Sequence, residues 1–531
     1  MMVRTIGSPS NEQTPLLQPQ QTTAPQQQQE DGRERQQAKA VPLKRRSERF
    51  VVLVLILAIL TIGTGDELQK PATTRLFESI YCRAYWAKHD PSLIGSDGGD
   101  GVAEEYCKNH EIQGDVAMLR GWQLTIEAFV MLLVSVPWGY AADVYGRKPV
   151  LVLLMFGLFI RATWIQIVCY FWRTIPIKAV WATAATGLLG GGAAITVAIM
   201  FTIITDVVPQ EARASRFFQI AGSAMVTQVV GPFGSAALMK YDPWIPMLLG
   251  LFLQVVVIFE IFLLPETKDY VAKEESTESE ETRPDGDSTC SEKASPWQNL
   301  RDAVQDSITF LAADRRLLLL IPAFFMQMLI GTNEVFLQYV STRYSLSLAN
   351  ATLVVTIKSA LTLGLLLVFF PAVNHVLRTN FKWHPQRVDL HLSRFCAIAL
   401  GVGFLLMAAA SSIPVLITAM AVGALGSGLH LSLRSLATSF VEPHHVARLM
   451  TFVSWIDVGG FMVASPLIAW LFERGVDRGG IWMGLPWLFC AAVFGVVTVL
   501  IGMISLGDNQ LKDADQEPLV SPDVPGAVQE A

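Results

Sequence analysis

The chain has 531 residues, of which 52% are hydrophobic and 16% charged, with a formal net charge of -6. That length exceeds one ordinary globular domain, and that apolar content exceeds an ordinary soluble protein. No basic surface points to nucleic acid, and no metal-ligand cluster, nucleotide loop or nucleophile–base constellation is visible, so neither an enzyme nor a cofactor is expected.

Residues 1–48 are polar and rich in Gln and Pro (QPQQTTAPQQQQ), a composition that predicts a disordered tail. No secretory signal is visible there, so the first membrane span is expected to do the targeting. About 20 apolar residues cross a hydrocarbon core about 30 Å thick. Windows of that kind lie at roughly 50–70, 116–138, 149–171, 179–205, 216–239 and 244–264, then at 316–338, 350–371, 392–411, 413–440, 449–472 and 483–505. The connector 265–311 is acidic and Ser-rich (EESTESEETRPDGD), without apolar periodicity, which predicts a flexible linker. The expected fold class is an all-α membrane protein with twelve transmembrane helices in two six-helix bundles. Its divisions are a cytosolic tail at 1–48, a bundle at 49–264, a cytosolic linker at 265–311, a bundle at 312–506 and a cytosolic tail at 507–531.

Short loops rich in Lys and Arg face the cytosol. KRRSER before the first span, Arg147 and Lys148 after the second, Arg213 and Arg216 after the fourth, and Arg378, Lys382 and Arg387 after the eighth share one side if both termini are cytosolic. Arg173, Lys178, Arg474 and Arg478 fall on the other side. This orientation places Cys82 and Cys107 outside, where a disulfide can form; two unpaired thiols are the alternative. It also places the sequon Asn350-Ala-Thr at an outer loop, a candidate glycosylation site.

The two halves look alike. Acid occurs late in the first and seventh spans, at Asp66 and Glu67 and at Glu334. The fourth span ends DVVPQEAR and the tenth SFVEPHHVAR; the fifth holds VVGPFGSAALM and the eleventh VASPLIAWLF. A duplicated six-span unit is a signature of secondary transporters.

Between the second and third spans lies WGYAADVYGRKP. Gly139 and Gly146 suit positions where backbones turn or touch. The Asp143 carboxylate is placed to accept hydrogen bonds from a helix N-terminus. Arg147 and Lys148 are placed for lipid phosphates or for acids such as Asp206, forming a latch that breaks and reforms. GYAADVYGRK resembles the loop signature of the major facilitator superfamily, with Val144 where a base is usual. DVVPQEAR resembles that family's end of span four, which implies Asp206 and Arg213 as latch partners. PATTRLFESIYCRAYW resembles a stretch common in fungal members. GPFG, with Gly231, Pro232 and Gly234, resembles part of the family's antiporter motif and suggests a helix bend. GLLGGG reads as helix-packing chemistry through Gly187 and Gly191.

Charges within spans need partners or water. Glu127 and Arg161 lie midway along their helices; Glu334 and Lys358 lie towards the outer side; Arg434 and Asp457, with His430 nearby, lie towards the inner side. Asp66 and Glu67 sit near the outer end of the first span. Either these groups hold the bundles together or one acid exchanges a proton, Glu127 and Glu334 being favoured. Phe156, Phe159, Trp164, Phe324, Phe325, Met326, Met328, Trp455 and Phe461 suit an adaptable apolar cavity or a lipid face.

The favoured function is proton-coupled export of an amphipathic small molecule, a drug or secondary metabolite, by alternating access. Uptake of a nutrient or organic anion, using Arg161, Lys358 and Arg434, is the alternative; a non-transporting sensor or scaffold is the alternative of another class. The expected partners are the substrate, protons and the lipid bilayer, and the chain is expected to be a monomer. EQTPLL resembles an acidic dileucine sorting signal towards endosome or vacuole; the plasma membrane is preferred.

Overall fold

A computed structural model describes residues 24–95, 101–266, 315–331, 333–441 and 446–504. The chain forms two compact units, residues 1–51 and residues 52–531. The first is helical from Ala24. Composition predicts an irregular tail to residue 48, but the Gln, Glu, Arg, Lys and Ala that make this stretch polar are also strong helix formers. The tail before Ala24, most of the linker and the tail after residue 504 lie outside the described residues.

Helix α1 covers Ala24–His89, α2 His110–Tyr145 and α3 Arg147–Tyr170. A 3₁₀ segment, Ile177–Leu188, precedes α4, Gly192–Val207. Next come α5, Gln210–Met239, and α6, Trp244–Phe262. In the second half, α7 (Arg315–Gln327) and α8 (Asn333–Arg343) flank a 3₁₀ turn at Met328–Gly331. Helix α9, Leu348–Gly364, passes through a π turn into α10, Phe370–Thr379. The rest are α11 (Pro385–Ala409), α12 (Ile413–Ala424), α13 (Leu429–Thr438), α14 (Val446–Arg478) and α15 (Leu485–Gly502). Helices thus fill every predicted span position.

Three spans are interrupted. Gly190, Gly191 and Gly192 have φ of 120°, 83° and 80°, a left-handed run that a side chain resists. They turn the 3₁₀ segment of the fourth span into α4, and a Cβ on Gly190 would lie 2.8 Å from the Leu154 Cα of α3, so GLLGGG is a break as well as a packing contact. The tenth span breaks correspondingly between α12 and α13, across Gly426 and Gly428. The seventh breaks between α7 and α8. Irregular backbone at membrane depth survives where protein or a cavity surrounds it.

The first helix runs far beyond the predicted end near residue 70. Its charges stay in helix because they pair along it, Lys70 with Asp66 and Glu67, and Arg75 with Glu78. Asp66 and Glu67 therefore sit near the middle of the apolar stretch Glu48–His89, not at its outer end.

The end carrying Arg147 and Asp206 is called inner here, on the loop-charge argument. Towards the outer end the halves are packed together. Ala349 of the second half joins a first-half core with Phe77, Leu119, Val168 and Met247. Ala117 of the first half joins the second-half core of Phe336, Tyr339, Phe404 and Trp487. A Cβ on Gly121 of α2 would lie 2.9 Å from the Ala469 Cβ of α14. Large apolar side chains such as Phe129, Phe252 and Val499 are exposed, as a lipid-facing surface requires.

Candidate functional site

Around the level of Asp66, charged side chains form a ring. The Arg120 guanidinium of α2 donates to both oxygens of Glu334 on α8, at 2.6 and 2.5 Å. This bidentate pair crosses between the halves, and Arg120 is only 5% exposed. Arg120 also donates to the Gln123 side chain at 2.9 Å, and Gln123 donates to Glu127 at 3.0 Å. Glu127 is held by Arg161 at 3.0 Å and accepts from the Thr183 hydroxyl at 2.6 Å. Arg161 lies 3.9 Å from Asp66, and Lys70 bonds Asp66 at 3.0 Å and Glu67 at 2.7 Å. Glu67, Lys70 and Glu334 line one 250 Å³ cavity, which closes the ring.

Beside the ring lies a central cavity of 310 Å³, faced by Asp66, Glu127 and Arg161. Its apolar walls include Ile59, Ile62, Met131, Leu154 and Met200, and the broken fourth span supplies Thr186, Gly187 and Gly192. The aromatic residues singled out in the sequence do not line it. Phe324 is in the second-half core, Trp164 packs against the first-half core, and Phe156 and Phe325 are exposed. Met131 also borders a 450 Å³ cleft nearer the inner end, between Ser135, Gly139, Ala142 and Thr202 of the first half and Thr451, Ser454, Trp455 and Val458 of the second.

The GPFG segment packs against the acids of α1. A Cβ on Gly231 would lie 2.3 Å from that of Glu67, and one on Gly234 3.2 Å from Leu68. Helix α5 continues through Pro232, which lines the cavity with Glu67. These glycines make room for the charged part of α1.

At the inner corner, Gly146 has φ 104°. A Cβ there would lie 2.8 Å from the carboxylate of Glu266, just after α6. That carboxylate accepts the backbone N–H groups of Arg147 at 3.0 Å and Lys148 at 3.3 Å, capping α3. Glu266 thus has the role expected of Asp143, whose side chain lies outside the described residues. Arg147 reaches Asp206 at 3.5 Å. Arg213 donates to the Thr205 and Val208 carbonyls and so caps α4, and Lys148 donates to the Phe262 carbonyl of α6. Gly139 is not at a close contact: a Cβ there meets nothing within 4 Å, because it faces the inner cleft.

In the second half, Arg434 bonds Asp457 at 2.6 Å, and Gln327 donates to the same carboxylate at 3.2 Å. His430 lies one turn before Arg434 on α13. Glu334 and Lys358 are not brought together as partners: Glu334 takes Arg120, and the Lys358 ammonium stands 4.9 Å from the Phe336 ring centre. Asn350 is exposed in the first turn of α9. Among the described residues, no group of three or more His, Cys, Asp or Glu could hold a metal. Sequence reasoning missed Arg120, Gln123, Lys70 and Glu266; the first three share the signal of a polar group on a helix face that bears a known acid. It also missed Glu260, whose buried carboxylate takes the Thr61 hydroxyl at 2.9 Å.

Outside, a disulfide joins Cys82, at the end of α1, to Cys107, with Cα atoms 5.2 Å apart. Beside it, Glu104 accepts the Leu348 N–H of α9 at 2.6 Å, tying the first-half loop to the second half. Burial alone would push this carboxyl up, but Lys108, Arg75 and the Leu348 N–H together hold it below the ordinary carboxylate range. Its contribution is therefore complete above the ordinary pKa and is lost as pH falls through the lowered one. Glu104→Gln is expected to lower stability by about 1.5–3 kcal/mol at neutral pH. Thermal melts at descending pH should show the gap to the wild type narrowing in acid, whereas a constant gap would assign the loss to packing.

The fold and the site together are those of a multi-pass membrane transporter: helical bundles around a largely apolar cavity, sealed by an ion pair towards one end and bordered by a cleft towards the other. The family model described as Major Facilitator Superfamily matches residues 114–385, and the chain belongs to that superfamily. It is 29% identical over 458 residues to the MFS efflux pump atnC of Emericella nidulans, covering 84% of this chain and 87% of that one. It is 28% identical over 466 residues to the MFS-type transporter aprT of Aspergillus flavus, covering 88% and 90%. Among solved structures, it superimposes on the nucleoside transporter NupG with a TM-score of 0.56 at 14% identity, covering 84% of this chain and 98% of that one.

Proposed function

We propose that this transporter exports an amphipathic small organic molecule, of the drug or secondary-metabolite kind, across the plasma membrane by alternating access coupled to proton entry. One observation carries the reading. The outer half is sealed by Arg120 and Glu334, while the central cavity shares Met131 with a cleft between the inner ends of the two halves. A molecule coming from the inner leaflet or cytosol meets a cleft beside the central cavity and a closed outer half, a posture in which an exporter takes up its cargo. The relative named an efflux pump supports the same direction. The partly apolar walls suit an amphiphile, and the charged ring, with Glu127 and Glu334 in it, supplies proton-coupling groups. Uptake of an organic anion is less well served, because Arg161 and Arg434 already hold carboxylates.

The test uses inside-out plasma-membrane vesicles and three amphipathic dyes: rhodamine 6G (cationic), Nile red (neutral) and fluorescein (anionic). Acidifying the lumen should drive accumulation of at least one dye, and a protonophore should abolish it. Accumulation in right-side-out vesicles under an inward proton gradient would instead establish uptake.

A further inference from the structure

An uncompensated ion at bilayer depth costs about 3 kcal/mol or more, so charges that meet inside the bundles should balance. The ring does not balance. Four carboxyl groups, Asp66, Glu67, Glu127 and Glu334, meet three cations, Lys70, Arg120 and Arg161. Glu334 takes Arg120 on both oxygens, and Glu127 takes Arg161. Asp66 and Glu67 are left to share Lys70; the other cation near Asp66, Arg161 at 3.9 Å, is already on Glu127. Among the described residues the ring is one positive charge short, and the shortfall falls on the Asp66–Glu67 pair. The side chains that α5 and α9 bring to the adjoining cavity, Gln228, Pro232, Val355 and Ser359, are uncharged. Lys358 is engaged over the Phe336 ring.

A second observation points the same way. Gln254 of α6 lines the central cavity and is 3% exposed, yet its side-chain oxygen has no hydrogen-bond partner among the described residues. A buried carbonyl oxygen left without a donor costs about 1–3 kcal/mol. The cavity thus has a surplus carboxylate among apolar walls and an unsatisfied acceptor just behind its surface, the complement of a molecule with a cationic N–H group and a hydrophobic body.

We propose, resting on the export function above, that the cargo is an amphipathic organic amine whose ammonium group and a proton are alternative occupants of the Asp66–Glu67 pair. In the empty transporter a proton on the pair completes the charge. When an ammonium sits against Asp66, Lys70 is left to Glu67 alone. All four carboxylates are then compensated as ions, and the proton passes to the water of the inner cleft. Each occupant lowers the affinity for the other by the same factor, which is what an exchanger requires.

The experiment uses the purified full chain in detergent, at neutral pH with minimal buffer, and three probes of one shape: 1-naphthylmethylamine, 1-naphthylmethanol and 1-naphthoate. Calorimetry reads binding and a pH electrode reads proton release. The amine is expected to bind on the order of tenfold or more tightly than the other two and to release about one proton per molecule bound. Glu67→Gln removes the surplus and should abolish both the preference and the release. Adding Lys70→Met to Glu67→Gln restores the surplus and should restore both signals, which a merely structural role for Glu67 does not predict. Equal binding of the three probes, preference for the carboxylate, absence of amine binding, amine binding without proton release, or no restoration in the double variant would each overturn the inference. Proton-driven export of neutral or anionic dye alongside such a result leaves the export function standing; no gradient-driven movement of any dye removes that function itself.

Discussion

Replacing Arg120 by Gln is expected to unseal the outer half of the transporter. Arg120 is almost wholly buried and spans the two halves to Glu334, so its loss strands a carboxylate that has 20% of its side chain exposed. Breaking one member of a buried pair costs about 3–5 kcal/mol, and the partial exposure of Glu334 places this case at the lower end. The strain can be relieved by opening, because this is the surface along which the halves would part in the alternating access proposed above, and water would then reach Glu334. Alkylation of a single cysteine introduced at Leu337, which lines the cavity beside Glu334, should accelerate from outside. Glu334→Gln should act in the same direction but more weakly, since Arg120 keeps the Gln123 side chain as an acceptor. The swap Arg120→Glu with Glu334→Arg should recover part of the slow alkylation. A single variant as protected as the wild type would show that the α2–α14 packing at Gly121, not the ion pair, forms the seal.

This pair also marks the limit of what the sequence discloses. Glu127 with Arg161 and Arg434 with Asp457 are recognisable because each is an isolated charge in an apolar window, on spans that neighbour one another in the duplicated unit. Arg120 and Glu334 stand 214 residues apart in different halves. No periodicity links them, and Glu334 is instead suggested as a neighbour of Lys358 on the following span. The length of α1 is hidden for another reason. A search for apolar windows stops near residue 70, whereas the helix goes on because its acids and bases lie three and four residues apart. The corner at Gly146 is legible in the sequence as a family resemblance, and the need for an anion at the start of α3 follows from helix chemistry. Which carboxylate meets that need does not, since Glu266 arrives from the far end of α6. The broken fourth span is foreshadowed by three adjacent glycines, whose packing role is legible in the sequence, but only their left-handed backbone shows that the helix also breaks there.

Replacing Arg434 by Met should have the second large effect, and it separates scaffolding from coupling in the second half. Asp457 is 7% exposed and, among the described residues, keeps only the Gln327 amide at 3.2 Å once the guanidinium is gone. An isolated buried carboxylate either takes up a proton or destabilises the fold, so a loss of about 3–5 kcal/mol is expected in thermal unfolding at neutral pH. The loss should shrink in acid, where protonation removes the stranded charge. The double variant Arg434→Met with Asp457→Leu removes both charges and should regain most of the stability, since apolar replacement of a buried pair is often neutral or better. Transport by that double variant is the deciding measurement. The surplus carboxylate lies on α1, and Arg434 with Asp457 forms a balanced pair apart from it, so the double variant should still show proton-driven movement. A stable double variant with no proton-driven movement would place the coupling at Asp457 and shift the exchange site into the second half.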